Sequence, residues 1–399
     1  MTEKIYQNDS YLFEFEAEVT SIEESDGKYH IKIDRTAFYP ESGGQLSDRG
    51  TLDGNEVVGV EKTADEDIVH ICKEWKAKAG QKVAGVIDSE FRLANMRKHT
   101  GQHILSGAFL KTAGAATVSA HLGEIESTIE IDTDRLTDTQ IREAELAANR
   151  IIMRNLPVGI EYYNQSELKN IEVRKIPDRE GTFRIVSIGD HDQTACGGTH
   201  LRSTGEVGMI KIIGQEKIRG HQRFTFLTGE DAVNDYREKN EVANSLAAMQ
   251  TCHFRDLPEI VEKLSEQNNE LRREVGRLHR EMIPHEAERL LEKAETVGEV
   301  KIVIGRYEDY DPKALKNLAL YLAEENGRVN ILCDRDRLII TVSENVRLKA
   351  GALAKMFTEN FGGNGGGNPM IAQIGRIPAD KMSEYVESFA ALVKGEIGR

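Results

Sequence analysis

Two pairs of potential metal ligands, far apart in the sequence, limit the ways in which this chain can fold. His99 and His103 are four residues apart in HTGQH. This segment is predicted to be helical, and residues spaced by four share one face of a helix, so both imidazoles can reach one ion. Downstream, CGGTH places Cys196 and His200 four apart around two glycines. Three histidines and one cysteine suit Zn²⁺, and the sequence therefore predicts one zinc site that uses both segments.

The residue that follows His99 argues against one kind of zinc enzyme. A metalloprotease helix of the HExxH type needs a glutamate directly after the first histidine, where it acts as general base. This chain has Thr100 at that position. A zinc peptidase is therefore not expected.

The hydrophobic pattern changes along the chain and predicts four domains. Residues 1–88 contain β-branched, partly alternating segments separated by Gly and Asp, which is typical of a small β-barrel. Residues 89–230 have mixed helical and strand patterns, residues 231–296 are almost entirely helical with breaks at Pro258 and Pro284, and residues 297–399 alternate strands and helices. The predicted fold class is a multidomain α+β protein: a barrel, a central α+β zinc domain, a long helical arm and a C-terminal α/β domain.

The helical arm contains an apolar heptad repeat. Asn268 occupies an a position in this repeat, and a buried asparagine in such a seam often fixes register and oligomeric state. The pattern predicts a coiled-coil-like arm and a homodimer through it, although a helix packed on its own chain and an intramolecular hairpin are alternatives. The repeat consists of Leu257, Val261, Leu264, Asn268, Leu271, Val275, Leu278 and Met282.

The composition is that of an ordinary globular protein, with 39% hydrophobic residues. The N-terminus lacks the apolar core of a signal peptide, and the apolar runs fall far short of the ~20 residues of a membrane span. Four cysteines, at positions 72, 196, 252 and 333, have no paired spacing. We therefore expect no disulfide framework, a cytoplasmic location without membrane contact, and packing roles for Cys72, Cys252 and Cys333.

The net charge of −15 argues weakly against binding of nucleic acid, because phosphates favour basic surfaces. One basic face can nevertheless coexist with an acidic remainder. Three clusters of basic residues are candidates for such a face, and each is explained more simply as a solvated surface. They are Arg92, Arg97 and Lys98; Lys211, Lys217, Arg219 and Arg223; and Arg272, Arg273, Arg277 and Arg280.

A third motif, DRTAFYPESGGQLSDRG, lies in the predicted barrel. Its adjacent glycines, Gly43 and Gly44, allow the backbone to approach a ligand closely and to adopt positive φ. Gln45 follows them and offers both hydrogen-bond donors and acceptors. Taken alone, the segment is also explained by an ordinary glycine-containing hairpin turn.

Together these motifs resemble the editing half of alanyl-tRNA synthetases. The matching segments are TAFYPESGGQ (36–45), HTGQH (99–103) and CGGTH (196–200), and GGNGGGNPMIAQIG (362–375) resembles the oligoglycine motif of the C-terminal domain of those enzymes. They occur in the family's order and cover nearly the whole chain. A class II catalytic core would need some hundreds of residues ahead of the predicted barrel, which here starts at the N-terminus. We therefore expect the resemblance to be to the free-standing, long-form AlaX editing proteins. Ser42, Leu46 and Asn364 depart from the family pattern, which affects fine specificity more than activity.

The resemblance implies an aminoacyl-tRNA deacylase that hydrolyses mischarged Ser-tRNA(Ala), Gly-tRNA(Ala) or both, and spares Ala-tRNA(Ala). One Zn²⁺ per chain, bound by His99, His103, Cys196 and His200, would either generate a hydroxide nucleophile or position the aminoacyl end. The family pattern also implies a substrate pocket with Thr36 contacting the serine hydroxyl, helped by Gln45 and the Gly43–Gly44 turn.

The resemblance further implies that the C-terminal domain binds tRNA and dimerises. GGNGGG lacks the GK[ST] ending of a phosphate loop, so ATP use and amino-acid activation are not expected. Two alternatives remain open: a zinc-containing tRNA- or RNA-binding protein without turnover, and a zinc amidohydrolase or esterase that acts on small molecules.

Overall fold

The computed structural model describes residues 1–174 and 181–398, and the chain forms two compact units, Met1–Leu246 and Ala247–Arg399. Both units mix helices and strands, so the predicted α+β multidomain class is confirmed. The cysteines are all free. Within the described ranges, the structure contains no helix that is both long and apolar enough to cross a membrane.

The first unit begins with a closed six-stranded barrel. Along the second strand, Phe15, Ala17 and Val19 are buried while the glutamates between them are exposed, which is the period-2 pattern that predicts a half-buried strand. The predicted small barrel is therefore confirmed. The barrel order is β2-β3-β7-β6-β5-β8, and β1 pairs with β4 beside it. The strands are β1 Glu3–Lys4, β2 Glu14–Ser25, β3 Lys28–Ile33, β4 Arg35–Thr36, β5 Gly50–Leu52, β6 Asn55–Lys62, β7 Ile68–Cys72 and β8 Lys82–Ile87.

A long buried helix, α1 (Ser89–Ala113), follows the barrel and forms the centre of the rest of this unit. Asp88 caps it by accepting a hydrogen bond from the Phe91 N–H, and Gly114 ends it in the left-handed conformation. Helix α2 (Asp138–Met153) starts with a capping box between Thr137 and Gln140. Both helices contribute to one apolar core with the four-stranded sheet β14-β15-β10-β9.

One further small sheet completes the first unit. The three-stranded sheet β11-β12-β13 is antiparallel and leads directly into the CGGTH segment. The helix α3 (Gly229–Met249) follows the last strand. The strands are β9 Thr117–Leu122, β10 Ser127–Ile131, β11 Val158–Tyr163, β12 Phe183–Ile188, β13 Asp192–Ala195, β14 Ile210–Ile218 and β15 His221–Thr228.

The second unit is a six-stranded mixed sheet with helices on both faces. One core joins the end of α4 and α5 to the sheet, and a second core joins α6 and α7 to it. The sheet order is β16-β17-β18-β19-β21-β20. The elements are α4 Leu257–Leu291, β16 Glu295–Val297, β17 Val300–Arg306, α5 Pro312–Ala323, β18 Arg328–Asp334, β19 Arg337–Val342, α6 Ala350–Phe361, β20 Asn364–Gly367, β21 Ile371–Gly375 and α7 Met382–Ile397.

The break expected at Pro284 is wrong, because α4 continues through this residue to Leu291. Pro258 lies in the first turn of α4, where its missing N–H costs nothing. Beyond Pro284, the buried side chains Ile283, Ala287 and Leu290 pack into the core of the second unit. This tertiary packing outweighs the hydrogen bond that an internal proline removes.

Candidate metal centre

The structure brings the four predicted ligand residues together. Their ligand atoms all lie within 4.8 Å of one another, and three of the side chains are buried. Cys196 Sγ is 3.4 Å from His99 Nε2 and 3.3 Å from His200 Nε2. Bond lengths of 2.0–2.3 Å around a tetrahedral Zn²⁺ separate neighbouring ligand atoms by about 3.5 Å. The four side chains can therefore hold an ion with little rearrangement.

Hydrogen bonds fix which imidazole nitrogen faces the centre. His99 Nδ1 donates to Gln45 Oε1 at 2.7 Å, which leaves the Nε2 lone pair directed at Cys196. His200 Nδ1 lies 3.2 Å from Thr100 Oγ1, and that oxygen also accepts a bond from the Leu201 N–H. Partners of this kind set the tautomer and orientation of metal-binding histidines. Both rings are thus held ready for coordination through Nε2.

His103 has a carboxylate behind it. Its Nδ1 is 3.6 Å from Asp192 Oδ2, and Arg174 donates to Asp192 at 2.7 and 3.1 Å. Burial raises the pKa of Asp192, but His103 and Arg174 together lower it to about 2. Asp192 is therefore a permanent anion that can orient the third imidazole, as carboxylates do in many zinc sites.

The surroundings of Cys196 favour its thiolate. Burial raises the pKa of this thiol, but electrostatic interaction with the adjacent His99 and His200 lowers it well below its ordinary value. The Gly198 N–H lies 3.4 Å from the sulfur and adds a donor. Since the thiolate is the form that binds metals, the residues present fit a borderline-soft divalent ion such as zinc.

The loop after β4 (Arg35–Thr36) docks against the central helix and sheet. Gly44 has φ +84°, and a Cβ on it would lie 2.3 Å from the Ala120 carbonyl oxygen, so no larger residue fits without movement. The Leu122 N–H donates to the Gly44 carbonyl at 2.7 Å. Gly43 has open space around the position of a Cβ and lines the cleft described below.

Gln45, the residue after these glycines, is completely buried and connects three segments. Besides accepting from His99, its Oε1 accepts from the Thr199 N–H at 3.2 Å, and its Nε2 donates to Thr199 Oγ1 at 2.7 Å. Gly198 makes this contact possible, because a Cβ there would lie 2.1 Å from His99 Cε1. Gln45 therefore supports the candidate ligand residues, and its contact with a substrate stays a prediction.

A buried ion pair fixes the same loop to α1. Arg92 and Asp48 are both fully buried, and Arg92 Nε donates to Asp48 Oδ1 at 2.7 Å. Arg92 also donates to the carbonyls of Ser10 and Ala37 at 2.9 and 2.6 Å. The expectation that the cluster around Arg92 and Lys98 is a solvated surface is therefore wrong for these two residues, because Lys98 is buried as well. Arg92 fixes the position of α1 relative to the loop that carries Gln45.

The metal ligands lie at a cleft of about 680 Å³ in the first unit. This volume is in the range of sites for small organic ligands. One part of its wall comes from the ligand segments and the other from the barrel and the edge strand β9. The wall includes His99, His103, Cys196, Gly197, Arg174, Thr194, Ser119, Ala120, Tyr6, Tyr39, Gly43, Lys4, Lys62 and Glu66.

Thr36 is buried and is not among the described residues that line this cleft. Its hydroxyl donates to His70 Nε2 at 2.8 Å, since His70 Nδ1 faces the Ile31 carbonyl, and it accepts a bond from the Phe38 N–H. A hydroxyl oxygen has two lone pairs, so one acceptor position remains. The substrate contact of Thr36 stays a prediction.

Several supporting residues are not identified by sequence reasoning. Thr100 and Thr199 lie inside the two ligand motifs, directly next to His99 and His200. Hydroxyl side chains in these positions are a sequence signal that could have identified them as supporting residues. Asp192 and Arg174 have no such signal, because their pairing depends on the register of β12 and β13 and on the chain before them.

Comparison with known proteins agrees with this arrangement. Residues 183–225, which include CGGTH, match the family "Threonyl and Alanyl tRNA synthetase second additional domain". Residues 4–91, the barrel region, match the family "tRNA synthetases class II (A)". The "DHHA1 domain" matches residues 299–395. The alanyl-tRNA editing protein AlaX-L of Pyrococcus horikoshii is 32% identical over 95% of both chains. The chain belongs to the AlaX-L family.

The predicted resemblance to long-form AlaX proteins is thereby confirmed. This AlaX-L family member is also similar to alanine–tRNA ligases. It is 35% identical to that of Archaeoglobus fulgidus over 93% of this chain and 34% identical to that of Pyrococcus abyssi over 98% of this chain. It spans less than half the length of these ligases, 42% and 44% respectively.

Proposed function

We propose that this AlaX-L family member is a zinc-dependent deacylase that hydrolyses the ester of mischarged Ser-tRNA(Ala) or Gly-tRNA(Ala) and spares Ala-tRNA(Ala). The observation that carries the proposal is the convergence of three imidazoles and one thiol, of which His99, His103 and Cys196 line a cleft. The name of the P. horikoshii relative, an alanyl-tRNA editing protein, supports the substrate class. The cleft is large enough for an aminoacylated terminal nucleotide rather than for an amino acid alone.

His99, His103, Cys196 and His200 would hold the zinc, which would supply a fixed positive charge beside the ester when bound. Four protein ligands complete a tetrahedral set, so this chain's residues favour positioning of the aminoacyl end over generation of a hydroxide. Gln45, Thr100 and Asp192 keep the three imidazoles oriented. An aminoacyl ester is already activated, and accurate positioning therefore gives a large part of the rate.

Thr36 is the proposed reader of the serine hydroxyl. Because its own proton is directed to His70, it can act toward a substrate as an acceptor only. A site that hydrogen-bonds a substrate hydroxyl rejects the analogue without it far better than a methyl-sized pocket does. We expect Thr36→Val to lower the rate for Ser-tRNA(Ala) more than for Gly-tRNA(Ala). An unchanged ratio of the two rates removes Thr36 from this role.

We also propose functions for the remaining segments, with the barrel (1–88) and zinc domain (89–230) carrying the chemistry. The helical arm (231–296) and C-terminal domain (297–399) would bind tRNA and form a homodimer.

The proposed dimer rests on an exposed apolar stripe on α4. Val261, Leu271 and Val275 are 59%, 64% and 49% exposed in the single chain, and a second copy would cover them. Asn268 lies within this stripe. Sedimentation of the wild type and of Leu271→Glu tests it: a monomeric wild type contradicts the dimer.

The deciding experiment compares deacylation of Ser-, Gly- and Ala-tRNA(Ala) before and after chelation. We expect loss of serine and glycine, retention of alanine, and restoration of activity when zinc is added back. Cys196→Ser, which keeps the shape of the side chain, should reduce zinc binding and turnover together. If the zinc-loaded protein hydrolyses neither mischarged tRNA, it is a tRNA-binding relative without turnover. If it hydrolyses free amino-acid esters as fast as mischarged tRNA, it is an esterase of small molecules.

A further inference from the structure

Two lysines and one glutamate form a cluster in the wall of the same cleft. Lys4 Nζ is 2.9 Å from Glu66 Oε2, and Lys62 pairs with the other carboxylate oxygen of Glu66. The side chains of Lys4 and Lys62 are 18% and 35% exposed, so both lysines lie partly within the wall. The Glu66 carboxylate thus binds both lysines in the wall of the cleft that the candidate metal ligands also line.

The three residues lie on the barrel or directly beside it. Lys4 is in β1 and pairs with Thr36 of β4, and Lys62 is the last residue of β6. Glu66 lies in the turn between β6 and β7. The backbones of Lys4 and Lys62 are therefore held at a defined spacing by strands. Glu66 lies in a turn, and turns are generally more mobile than strands.

Glu66 adopts an unfavourable backbone conformation. Its φ is +66°, in the left-handed region, which is strained for a residue that carries a Cβ. Glycine or asparagine is the usual choice at such a turn position. The bonds from Lys62 and Lys4 lower the pKa of Glu66 to about 2, so the carboxylate is charged at neutral pH. Strain of this kind is often found at ligand-binding sites.

We propose that Lys4 and Lys62 form a subsite for a backbone phosphate near the 3′ end of an RNA, and that Glu66 occupies this subsite in the free protein. The proposal rests on the deacylase function, because an ester held at the metal ligands places its own nucleotide in the same cleft. Phosphate oxygens accept charge-assisted bonds from lysine as carboxylate oxygens do. In an acidic protein, a masked pair of lysines also prevents unselective capture of polyanions.

An ordinary surface ion pair is the alternative explanation, and the chain contains one for comparison. Lys73 and Glu56, on the barrel, are 62% and 63% exposed and do not line the cleft in the part of the chain that the structure describes. Such pairs contribute little to stability. Glu56→Gln is therefore a matched control for Glu66→Gln, since both remove one carboxylate that is bonded to lysine.

The test uses the full-length protein and a short single-stranded RNA ending in CCA, with its affinity measured over a range of salt concentrations. Lys4→Gln and Lys62→Gln should each weaken binding roughly threefold to tenfold and lower the slope of log K against log salt by about 0.7. Glu66→Gln should strengthen binding by a similar factor, and Glu66→Gly should do the same without backbone strain. Glu56→Gln should change neither quantity.

A second probe identifies the ligand group. Neutral methylphosphonates replace the last three internucleotide phosphates of the same RNA. The wild type should bind this probe more weakly than the natural RNA, and the Lys4→Gln, Lys62→Gln double variant should bind both equally. An equal penalty in wild type and double variant overturns the proposal. Because this readout is binding of uncharged RNA, it is independent of whether the wild type hydrolyses mischarged tRNA, and failure of the deacylase function is seen separately.

Discussion

At the scale of single residues, the bond from His99 Nδ1 to Gln45 Oε1 connects the barrel to the metal ligands. A neutral imidazole that donates through Nδ1 presents its Nε2 lone pair to a metal. Gln45 does this for His99, and it also holds Thr199 beside His200. One amide side chain therefore supports both ligand segments.

We expect Gln45→Ala to weaken zinc binding by about 10–100-fold while the protein stays folded. Competition with a chromophoric chelator measures the affinity, and circular dichroism checks the fold. Gln165→Ala, a change at an exposed position, is the control. A zinc affinity equal to that of the wild type would show that Gln45 has no effect on the ligands.

His70 gives a prediction about pH. Burial lowers its pKa from 6.5 to about 4, so the folded protein keeps this imidazole neutral where the unfolded chain protonates it. The unfolded state then binds more protons, and the free energy of unfolding falls as pH decreases from about 6.5 to about 4. Each tenfold difference in proton affinity is worth about 1.4 kcal/mol, so the loss is about 3 kcal/mol.

The measurement is urea unfolding of zinc-free protein at several pH values, with His70→Gln as the comparison. The variant lacks the titrating group, and the difference in stability between it and the wild type should therefore become smaller as pH falls through this window. A difference that is constant with pH would contradict the prediction. Other titrating groups are common to both proteins and cancel.

The candidate ligand residues can be predicted from sequence better than the residues that surround and support them. His99, His103, Cys196 and His200 stand in short motifs whose spacing has a geometric reason, and the structure brings them together. Asp192 and Arg92 look like ordinary charged residues in a chain that has many. Their roles depend on burial and on partners that are distant in sequence: His103 is 89 residues from Asp192, and Asp48 is 44 residues from Arg92. No local sequence pattern carries that information.

At the scale of elements, the docking of the glycine loop on β9 sets the distance between the barrel and α1. The close approach of Gly44 to Ala120, the Leu122 bond and the Arg92–Asp48 pair act on the same short loop. A shift of this loop moves Gln45, and with it the ring of His99. The loop is therefore part of the candidate metal centre, although it supplies none of the candidate ligands.

Two neighbouring glycines provide a matched test of this docking. Gly44→Ala places a methyl group against the Ala120 carbonyl, so the loop must move, and zinc affinity and stability should both fall. Gly43 also has a positive φ, but a Cβ at this position would meet open space. Gly43→Ala should therefore lower the free energy of unfolding by only the ~1–2 kcal/mol of a left-handed backbone, and zinc affinity should not change. Chelator competition and urea unfolding distinguish the two. Equal zinc affinities in both variants would exclude the docking contact as a support of the site.

Element types are predictable here where the pattern is long and regular. The alternation in β2 predicts a barrel strand, and the structure contains it. In the structure, α1 and α2 begin at the capping residues Asp88 and Thr137. The stretch Asn364–Gly367 forms an edge strand although glycine weakens strands, because its backbone pairs with β21. At Pro284 the helix likewise continues because of contacts that are distant in sequence.

At the scale of the whole molecule, all four ligand residues and the cleft lie in the first compact unit, Met1–Leu246. We expect a fragment of residues 1–246 to fold, to bind zinc as tightly as the full chain, and to bind tRNA(Ala) more weakly. Zinc titration and filter binding of uncharged tRNA measure the two quantities. Equal tRNA affinity of fragment and full chain would contradict the assignment of tRNA binding to residues 231–399.

The wide spacing of the ligands has a consequence for the timing of metal uptake. His99 precedes Cys196 by 97 residues, and Gln45 precedes Thr199 by 154. At about 5–20 residues per second, a ribosome needs roughly 8–30 s to synthesise the stretch from Gln45 to Thr199. Until then the emerging chain offers zinc two imidazoles on one helix and no thiolate from the second motif. If the proposed zinc site is correct, the barrel and α1 are synthesised before the ion has a complete ligand set, so metal uptake would follow synthesis of the second motif instead of starting the folding of this unit.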